Sequence, residues 1–311
     1  MGRAKLAVAV RRLDRRRYEW ATVVLLLPAA LLLGTLFLLP IGYAFYLGFT
    51  NLQLIGPNAV HYRFTGILNV QRLWRDSEFY HSLLLTLYFV VGAGAIASTL
   101  GGLVLAMLME RAIPALRTAV GALAMLACIL PPATVAVVWF SVSTAGGAIP
   151  QILGIKKFDL LFSYPLLVVS AANAWSLYGL SMLMFAAALK NIPDDMVEAA
   201  RLENASAWQR FWRLTLPLLR PTVMTSLLMM TLLSFGNFTL VFLMTGGGPE
   251  GRTNILPVYS YIQGFSYHNL GYGALLGNVI VVLASVLGVV FVLVDRIGSR
   301  STRALKGSPV G

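Results

Sequence analysis

The amino-acid sequence predicts an all-α polytopic membrane protein with six transmembrane helices. Of its 311 residues, 58% are hydrophobic and only 12% are charged, a composition outside the range of soluble globular domains. Six stretches free of Asp, Glu, Lys and Arg each exceed the roughly 20 residues that a helix needs to cross the hydrocarbon core. Because backbone groups in lipid must bond to one another, and because the stretches are too continuously apolar for barrel strands, we expect helices.

The predicted spans lie between residues 22 and 294. They are expected at about 22–47, 83–109, 118–141, 166–189, 222–244 and 274–294. Together they form a transmembrane domain over residues 21–295, with a basic tail at 1–20 before it and another at 296–311 after it. The apolar run after Trp20 is longer than the apolar region of a cleaved signal peptide, so we expect it to remain as an anchor.

The distribution of Lys and Arg predicts the orientation. With the N-terminus in the cytoplasm, 18 of the 24 basic residues fall on the cytoplasmic side and six on the outer side. Cytoplasmic loops carry such an excess. We therefore expect a bacterial cytoplasmic (inner) membrane protein with both termini and the loop 190–221 in the cytoplasm. Most of the net charge of +12 then lies beside anionic lipid headgroups, and no nucleic acid partner is needed to explain it.

The sequence lacks the motifs of P-loop ATPases, metalloproteases and serine hydrolases. It has no GxxxxGK[ST] phosphate loop, no HExxH, no paired-cysteine pattern and no serine elbow. No predicted span holds a charged residue, which argues against a proton-coupled carrier. The single cysteine, Cys128, lies inside the third span and cannot build a metal site. We expect no enzyme activity, no catalytic residue, no metal and no cofactor on this chain.

Two patterns within the spans bear on helix packing. Pro131 and Pro132 interrupt the third span, and because proline removes a backbone donor we expect a break there. Such a break either lines a cavity or is simply tolerated by neighbouring helices. Small residues recur every four positions on the second span, at Ala93, Ala97 and Gly101, which predicts a close helix approach.

The loop 190–221 is the one densely charged, helix-patterned segment between the apolar runs. Asp195 and Glu198 have capping-box spacing, which predicts a helix from Asp195 to about Glu203. Asn204 is expected to turn the chain, because asparagine is among the few residues other than glycine that accept a positive φ.

A second short helix is expected after this turn. Ser206 and Gln209 repeat the capping spacing, and the helix should end before Pro217. Its apolar face carries three aromatic residues, Trp208, Phe211 and Trp212. From the pattern alone, the loop is either a docking element that presents small residues to a partner or an amphipathic hairpin that caps the bundle with its tryptophans among the headgroups.

These residues resemble the EAA loop of binding-protein-dependent ABC importer permeases, in which EAA is followed by a short gap, a glycine and a later Leu-Pro. Glu198-Ala199-Ala200 and Leu216-Pro217 match this pattern, and Asn204 stands where the family has glycine. Met244 to Leu276 is similar to the outer loop and start of the sixth span in the carbohydrate type, which imports sugars or glycerol-3-phosphate. The resemblance covers most of the chain and implies the type I ABC importer permease architecture, with 190–221 as a cytoplasmic coupling-helix loop.

The resemblance implies a permease subunit that translocates a carbohydrate or related polyol by alternating access, driven by a separate ATPase subunit that binds ATP and Mg. The implied partners are a second homologous permease subunit forming a heterodimer, two copies of a cytoplasmic ATP-binding subunit, an extracytoplasmic solute-binding protein and membrane lipid. The coupling helix would seat in the ATPase. The residues implied for this coupling are Glu198, Ala199, Ala200, Arg201, Glu203, Asn204 and Trp208.

Uncharged polar and aromatic side chains within the spans are candidates for a substrate pathway. A hydroxylated solute needs hydrogen-bond partners and ring faces without fixed charge. The candidates are Asn173, Trp175, Ser176, Tyr178, Asn237 and Asn278. Interhelical hydrogen bonding is the alternative role for intramembrane Asn and Ser. The alternative function is a self-contained, uncoupled carrier or channel for a small neutral solute, in which the charged loop is only a cap.

Overall fold

The computed structural model describes residues 24–155 and 157–306, and within this part of the chain the regular elements are all helices. Six helices are long and apolar enough to cross a membrane. An isolated bridge pairs Thr50 with Phe64. The predicted tail 1–20, the first two residues of the first predicted span and residues 307–311 lie outside the described residues.

The helices are numbered in chain order. They are α1 (Val24–Leu47), α2 (Pro57–Val60), α3 (Leu68–Arg75), α4 (Ser77–Glu110), α5 (Pro114–Ile129), α6 (Pro132–Ser143), α7 (Ala148–Ile152), α8 (Leu160–Ser163), α9 (Pro165–Leu189), α10 (Asp194–Leu202), α11 (Ala207–Phe235), α12 (Phe238–Thr245), α13 (Leu256–Tyr261, continued by a π-helical turn at Ile262–Ser266) and α14 (Leu270–Lys306). The six of spanning length are α1, α4, the stretch Pro132–Ile152 containing α6 and α7, α9, α11 and α14. Because α14 runs to Lys306, the predicted C-terminal tail begins as a continuation of the sixth span.

The second span belongs to a helix that is longer than the predicted 83–109. α4 starts one residue after Asp76, whose carboxylate accepts a hydrogen bond from the Glu78 N–H at 3.1 Å. It ends at Glu110, where Arg117 from α5 donates to the carbonyls of Met109 (2.9 Å) and Glu110 (2.6 Å). These bonds satisfy two of the carbonyls that a helix end leaves without partners.

The third predicted span, 118–141, is two helices. α5 ends at Ile129, and Leu130 and Pro131 adopt extended backbone with ψ of 131° and 141° before α6 begins. Proline lacks the N–H that would continue the helix, and it disfavours the α conformation in the residue before it. The break expected at Pro131 and Pro132 is therefore present, and a single helix over 118–141 is not.

The fifth span begins earlier than predicted. α11 starts at Ala207 inside the charged loop and passes through a π-helical turn at Phe211–Thr215 before Pro217. Neither Pro217 nor Pro221 ends the helix. Pro217 directly follows the π-helical turn, in the first turn of the α-helical stretch, where a proline is tolerated. The short helix predicted to end before Pro217 is thus the beginning of the fifth span.

The fifth span also breaks within the predicted range 222–244. α11 ends at Phe235, and Asn237, with φ −89° and ψ 38°, separates it from α12. Gly236 and Asn237 are both poor helix formers, which accounts for the position of the break. This interruption lies inside an apolar run that predicted a continuous helix.

α9 is the most buried span and packs against α4, α5 and α11. Small residues set these approaches. Gly102 on α4 lies against Ser181, and a Cβ on Gly179 would overlap the backbone carbonyl of Ala124 on α5. Gly101, a member of the predicted series, lies against the ring of Tyr178 on α9, so the close approach predicted on the second span is confirmed. By contrast, none of the apolar stretch of α1 is buried.

Candidate functional site

The connection between α9 and α11 is a short exposed helix, α10, which follows Pro193. Pro193 occupies the N-cap position, and no side chain caps the helix. The capping box predicted for Asp195 and Glu198 is therefore wrong: with Pro193 as the cap, Asp195 lies two positions into the helix. Asp194 and Asp195 still lie in the first turn, where negative charge is favoured by the helix dipole.

The chain leaves α10 through a left-handed residue, Asn204, with φ +54°. The Asn204 N–H donates to the Arg201 carbonyl (3.0 Å), and the Ala205 N–H donates to the Ala200 carbonyl (3.1 Å). This is the Schellman pattern that commonly ends a helix with glycine at the left-handed position. The turn predicted at Asn204 is present, with asparagine in the place of glycine.

Substitutions of Asn204 test this turn. Asn204→Val is expected to cost about 1–2 kcal/mol, because a β-branched residue is strained at positive φ. The N–H of Ala205 should then exchange with solvent roughly 5- to 30-fold faster. Asn204→Gly is the matched control and is expected to leave the exchange rate within about twofold, since glycine adopts this conformation freely. Equal exchange in both variants would contradict the assignment.

Ser206 begins α11 with the predicted capping box. Its Oγ accepts from the Gln209 N–H (3.2 Å), and its own N–H donates to Gln209 Oε1 (2.9 Å). The aromatic residues Trp208, Phe211 and Trp212 pack together with ring centroids 5.4–6.4 Å apart. Trp208 nevertheless keeps 70% of its surface exposed. The loop therefore presents aromatic surface beside α10.

The residues implied for coupling lie at the surface of this loop. Those exposed are Glu198, Ala199, Arg201, Glu203, Asn204 and Trp208, and Ala200 is half-buried. Leu202, which the sequence analysis did not single out, is 85% exposed. It lies one turn after Glu198 and Ala199 on the same helical face. An apolar residue four positions after Glu198 on a polar helix was the available signal. Together with the exposed Ala199 and Trp208, Leu202 gives this charged loop apolar surface.

A cavity of about 450 Å³ lies between the two broken spans. Leu130 and Pro132 line it at the α5–α6 break, Gly236 and Asn237 line it at the α11–α12 break, and Ser176 lines it from α9. Non-helical backbone at membrane depth is tolerated where it faces such a space. The break at Pro131 and Pro132 therefore lines a cavity, which decides between the two alternatives that the sequence left open.

A polar network stands beside this cavity. Asn237 Nδ2 donates to Asn173 Oδ1 (2.8 Å), and Asn173 Nδ2 donates to Ser234 Oγ (3.0 Å). Asn173 is fully buried, and Ser176 Oγ donates to its backbone carbonyl at 2.8 Å. Asn237 Oδ1 is buried and accepts no hydrogen bond from the described residues. Asn237 is thus held by its amide nitrogen and keeps an acceptor free.

The other candidates from the sequence lie away from the lining of this cavity. Asn278 donates to two backbone carbonyls near the end of α1, at 3.3 and 3.5 Å, and so joins α14 to α1. Trp175 packs edge-on against a tryptophan of α6, with centroids 6.3 Å apart. The ring of Tyr178 covers a glycine of α4. The structure therefore brings together Asn173, Ser176 and Asn237.

A second polar cluster, missed by the sequence analysis, surrounds Asp76 on the opposite membrane side from α10. Asp76 Oδ2 accepts hydrogen bonds from the hydroxyls of Tyr259 (2.6 Å) and Tyr272 (2.5 Å). Burial alone would raise the pKa of the Asp76 carboxyl, but these bonds and two backbone N–H groups outweigh it and hold the pKa below its usual range. Burial, with the nearby Asp76 charge, raises the pKa of Tyr259. Asp76 is thus ionised and its partners are neutral.

Comparison with known proteins decides the family. The family model of the binding-protein-dependent transport system inner membrane component matches residues 6–303. The chain belongs to this permease family. The permease is 31% identical over 272 residues to the inner membrane ABC transporter permease protein YcjO of Escherichia coli, covering 84% of this chain and 89% of YcjO. It is 29% identical over 297 residues to the trehalose transport system permease protein SugA of Mycobacterium tuberculosis, covering 93% of both.

The permease also shares its fold with a solved transporter. A bacterial alginate ABC transporter in complex with alginate pentasaccharide-bound periplasmic protein contains a chain that superposes with a TM-score of 0.70 at 18% identity, covering 96% of this permease and 99% of that chain. The resemblance seen in the sequence and the six-span ABC importer permease architecture are confirmed. The permease is an inner-membrane transport component.

Proposed function

We propose that this permease translocates a sugar or related polyol through the cavity beside Asn237. The observation that carries the proposal is a cavity of about 450 Å³ lined by uncharged residues, one of which, Asn237, holds a buried Oδ1 that accepts no hydrogen bond from the described residues. A sugar hydroxyl would donate to this oxygen, and the apolar lining from Leu177, Leu180 and Leu240 would contact the less polar ring faces. The name of the relative SugA, a trehalose transport permease, agrees with this class of solute.

We further propose that the energy comes from separate ATP-binding subunits. The sequence has no phosphate loop, so ATP and Mg would bind to two partner subunits, one of which would seat on the exposed face of α10. The solved alginate transporter is described in complex with a periplasmic protein, which supports an extracytoplasmic solute-binding protein as a further partner. A second, homologous permease would complete the pathway. ATP and the loaded binding protein would each favour one of two states, giving alternating access.

An uncoupled carrier or channel has less support. Family membership places the chain among binding-protein-dependent transport components. No second function is therefore proposed.

The sole cysteine offers a test of the substrate site, because Cys128 lines the same cavity as Asn237. In the purified complex, we expect trehalose or another saccharide to slow the reaction of Cys128 with a small neutral thiol reagent, measured by intact mass. Asn237→Ala should weaken this protection about three- to tenfold, which corresponds to the loss of one hydrogen bond.

Ser285→Ala is the matched control for this experiment. Ser285 lies on α14 away from the cavity and bonds to its own helix at Val281. The control variant should keep full protection. Protection that is equal in Asn237→Ala and the wild type would remove Asn237 from the site, and glycine or another amino acid protecting better than any saccharide would contradict the solute class.

A further inference from the structure

A polar pocket of about 600 Å³ opens between α3 and α13. Its polar lining consists of Gln71, Arg72, Arg75, Asp76, Tyr259 and Gln263. Because α3 connects the end of α1 with the start of α4, the pocket lies near the membrane boundary. The charge distribution predicts that this boundary is the outer one.

The two arginines of this pocket are free of ion pairs with the described carboxylates. The neighbouring Asp76 already accepts from Tyr259, Tyr272 and a backbone N–H. The Arg72 guanidinium lies 4.2 Å from the centre of the Tyr272 ring, and one of its N–H groups reaches Gln263 at 3.5 Å. Arg75 makes no hydrogen bond to a described side chain. Two guanidinium groups and one carboxylate leave the pocket with a net positive charge.

Apolar surface borders the pocket. Ile67, Leu68 and Trp74 are 62%, 58% and 67% exposed, as expected for side chains that meet the bilayer interface. On α13, Ser260 and Gly264 follow directly after Tyr259 and Gln263 and line an apolar groove of about 340 Å³ against α1 and α14. Neighbouring residues of α13 and its π-helical turn therefore line both the pocket that contains the two arginines and the apolar groove.

We propose that the Arg72–Arg75 pocket binds the phosphate of an anionic phospholipid, with an acyl chain in the groove between α1 and α14. Guanidinium groups match phosphate oxygens through paired N–H donors. A free oxyanion would use the pocket and leave the groove empty, whereas a lipid uses both. A net positive pocket favours a headgroup with net negative charge over a zwitterionic one.

The lipid would also complete the packing of α1. This helix has none of its apolar stretch buried, and it meets α14 through Asn278 near its end. An acyl chain in the groove would contact Ala44 and Phe45 on α1 together with Ala274 on α14. The proposed site thus ties the least packed span to the rest of the protein.

The test is lipid retention by the purified protein, measured by native mass spectrometry with phosphatidylglycerol, phosphatidylcholine and inorganic phosphate as probes. The wild type should retain phosphatidylglycerol about tenfold or more in preference to phosphatidylcholine, since the choline cation of phosphatidylcholine would be repelled by the two guanidinium groups. Arg75→Gln alone should reduce the preference, and Arg72→Gln with Arg75→Gln should abolish it. Arg252→Gln, an outer arginine paired with Glu250, is the matched control and should keep it.

A second variant separates a lipid from a free oxyanion. Ala44→Phe fills the apolar groove without touching the arginines, so it should lower phosphatidylglycerol retention while the arginines remain in place. If Arg75→Gln and the double variant keep the wild-type preference, the proposal fails. It also fails if millimolar inorganic phosphate displaces the lipid completely, because that result describes a site for a free oxyanion. Arg75 makes no described side-chain hydrogen bond, so its substitution should not unfold the protein.

Discussion

Replacing Gly179 with alanine is expected to destabilise the folded permease by about 2–3 kcal/mol. A Cβ at this position would overlap the carbonyl oxygen of Ala124, and a backbone group of a neighbouring helix cannot rotate away as a flexible side chain can. Overpacking of a tight contact costs about 1–3 kcal/mol, and an obstacle made of backbone places Gly179 near the top of that range. α9 and α5 would have to separate, which also disturbs the cavity between them.

Gly121 on α5 provides the matched control for this substitution. It is also a helical glycine, and a Cβ there would have no atom within 4 Å. Gly121→Ala is expected to stabilise the protein by up to about 1 kcal/mol, because alanine is the better helix former. The measurement is the midpoint of thermal unfolding in detergent for both variants. Equal midpoints would mean that α5 and α9 do not approach as closely as Gly179 and Ala124 indicate.

Apolar run length predicted the number of spans, because the bilayer imposes a minimum length that the sequence shows directly. Helix boundaries were harder. The break at Pro131 was visible, since proline interrupts a helix through its own covalent structure. The break at Gly236 and Asn237 was not, because such residues only weaken a helix and tertiary packing decides whether it continues. The helix end predicted before Pro217 was also wrong. A π-helical turn precedes this proline, and the helix continues past a residue that would ordinarily end it.

In the charged loop, the predictions that depended on the backbone preference of a single residue were correct. Asn204 takes the left-handed turn and Ser206 forms its capping box. The box at Asp195 failed because Pro193 begins the helix earlier. Leu202 was overlooked although it is an apolar residue on a polar helix, because its exposure is visible only in the structure.

Only some of the polar residues of the candidate sites could be predicted from the sequence. Asn237 and Ser176 stood out because polar residues are uncommon in spans, whereas Leu180 and Met229, which line the same cavity, look like any lipid-facing residue. The cluster around Asp76 was missed for a different reason. Its tyrosines lie 183 and 196 residues further along the chain, so only the folded structure brings them together.

Glu198→Ala is expected to reduce ATP-driven uptake to background while the protein still inserts in the membrane. Glu198 is exposed and forms no ion pair with the described residues, so its removal should leave the fold intact. In the proposed complex its carboxylate is buried against the ATP-binding subunit, and truncating one member of a buried charged pair costs about 2–5 kcal/mol. The affinity for that subunit should therefore fall by roughly 30-fold or more. Leu202→Glu, which places a charge on the same face, should act in the same direction.

Two measurements check this coupling: uptake by the reconstituted complex and the amount of ATP-binding subunit that copurifies with the tagged permease. Arg213→Gln is the matched control, because Arg213 is an exposed charged residue on α11 outside the face formed by Glu198, Ala199 and Leu202. It should retain both uptake and the subunit. If Glu198→Ala keeps wild-type uptake, α10 is not the coupling element, and the loop reverts to a cap whose tryptophans lie among the lipid headgroups. We expect Glu198→Ala and Leu202→Glu to lose both uptake and the ATP-binding subunit, and Arg213→Gln to lose neither. This result would show that the ATP-binding subunit is coupled to the permease through this one face of α10.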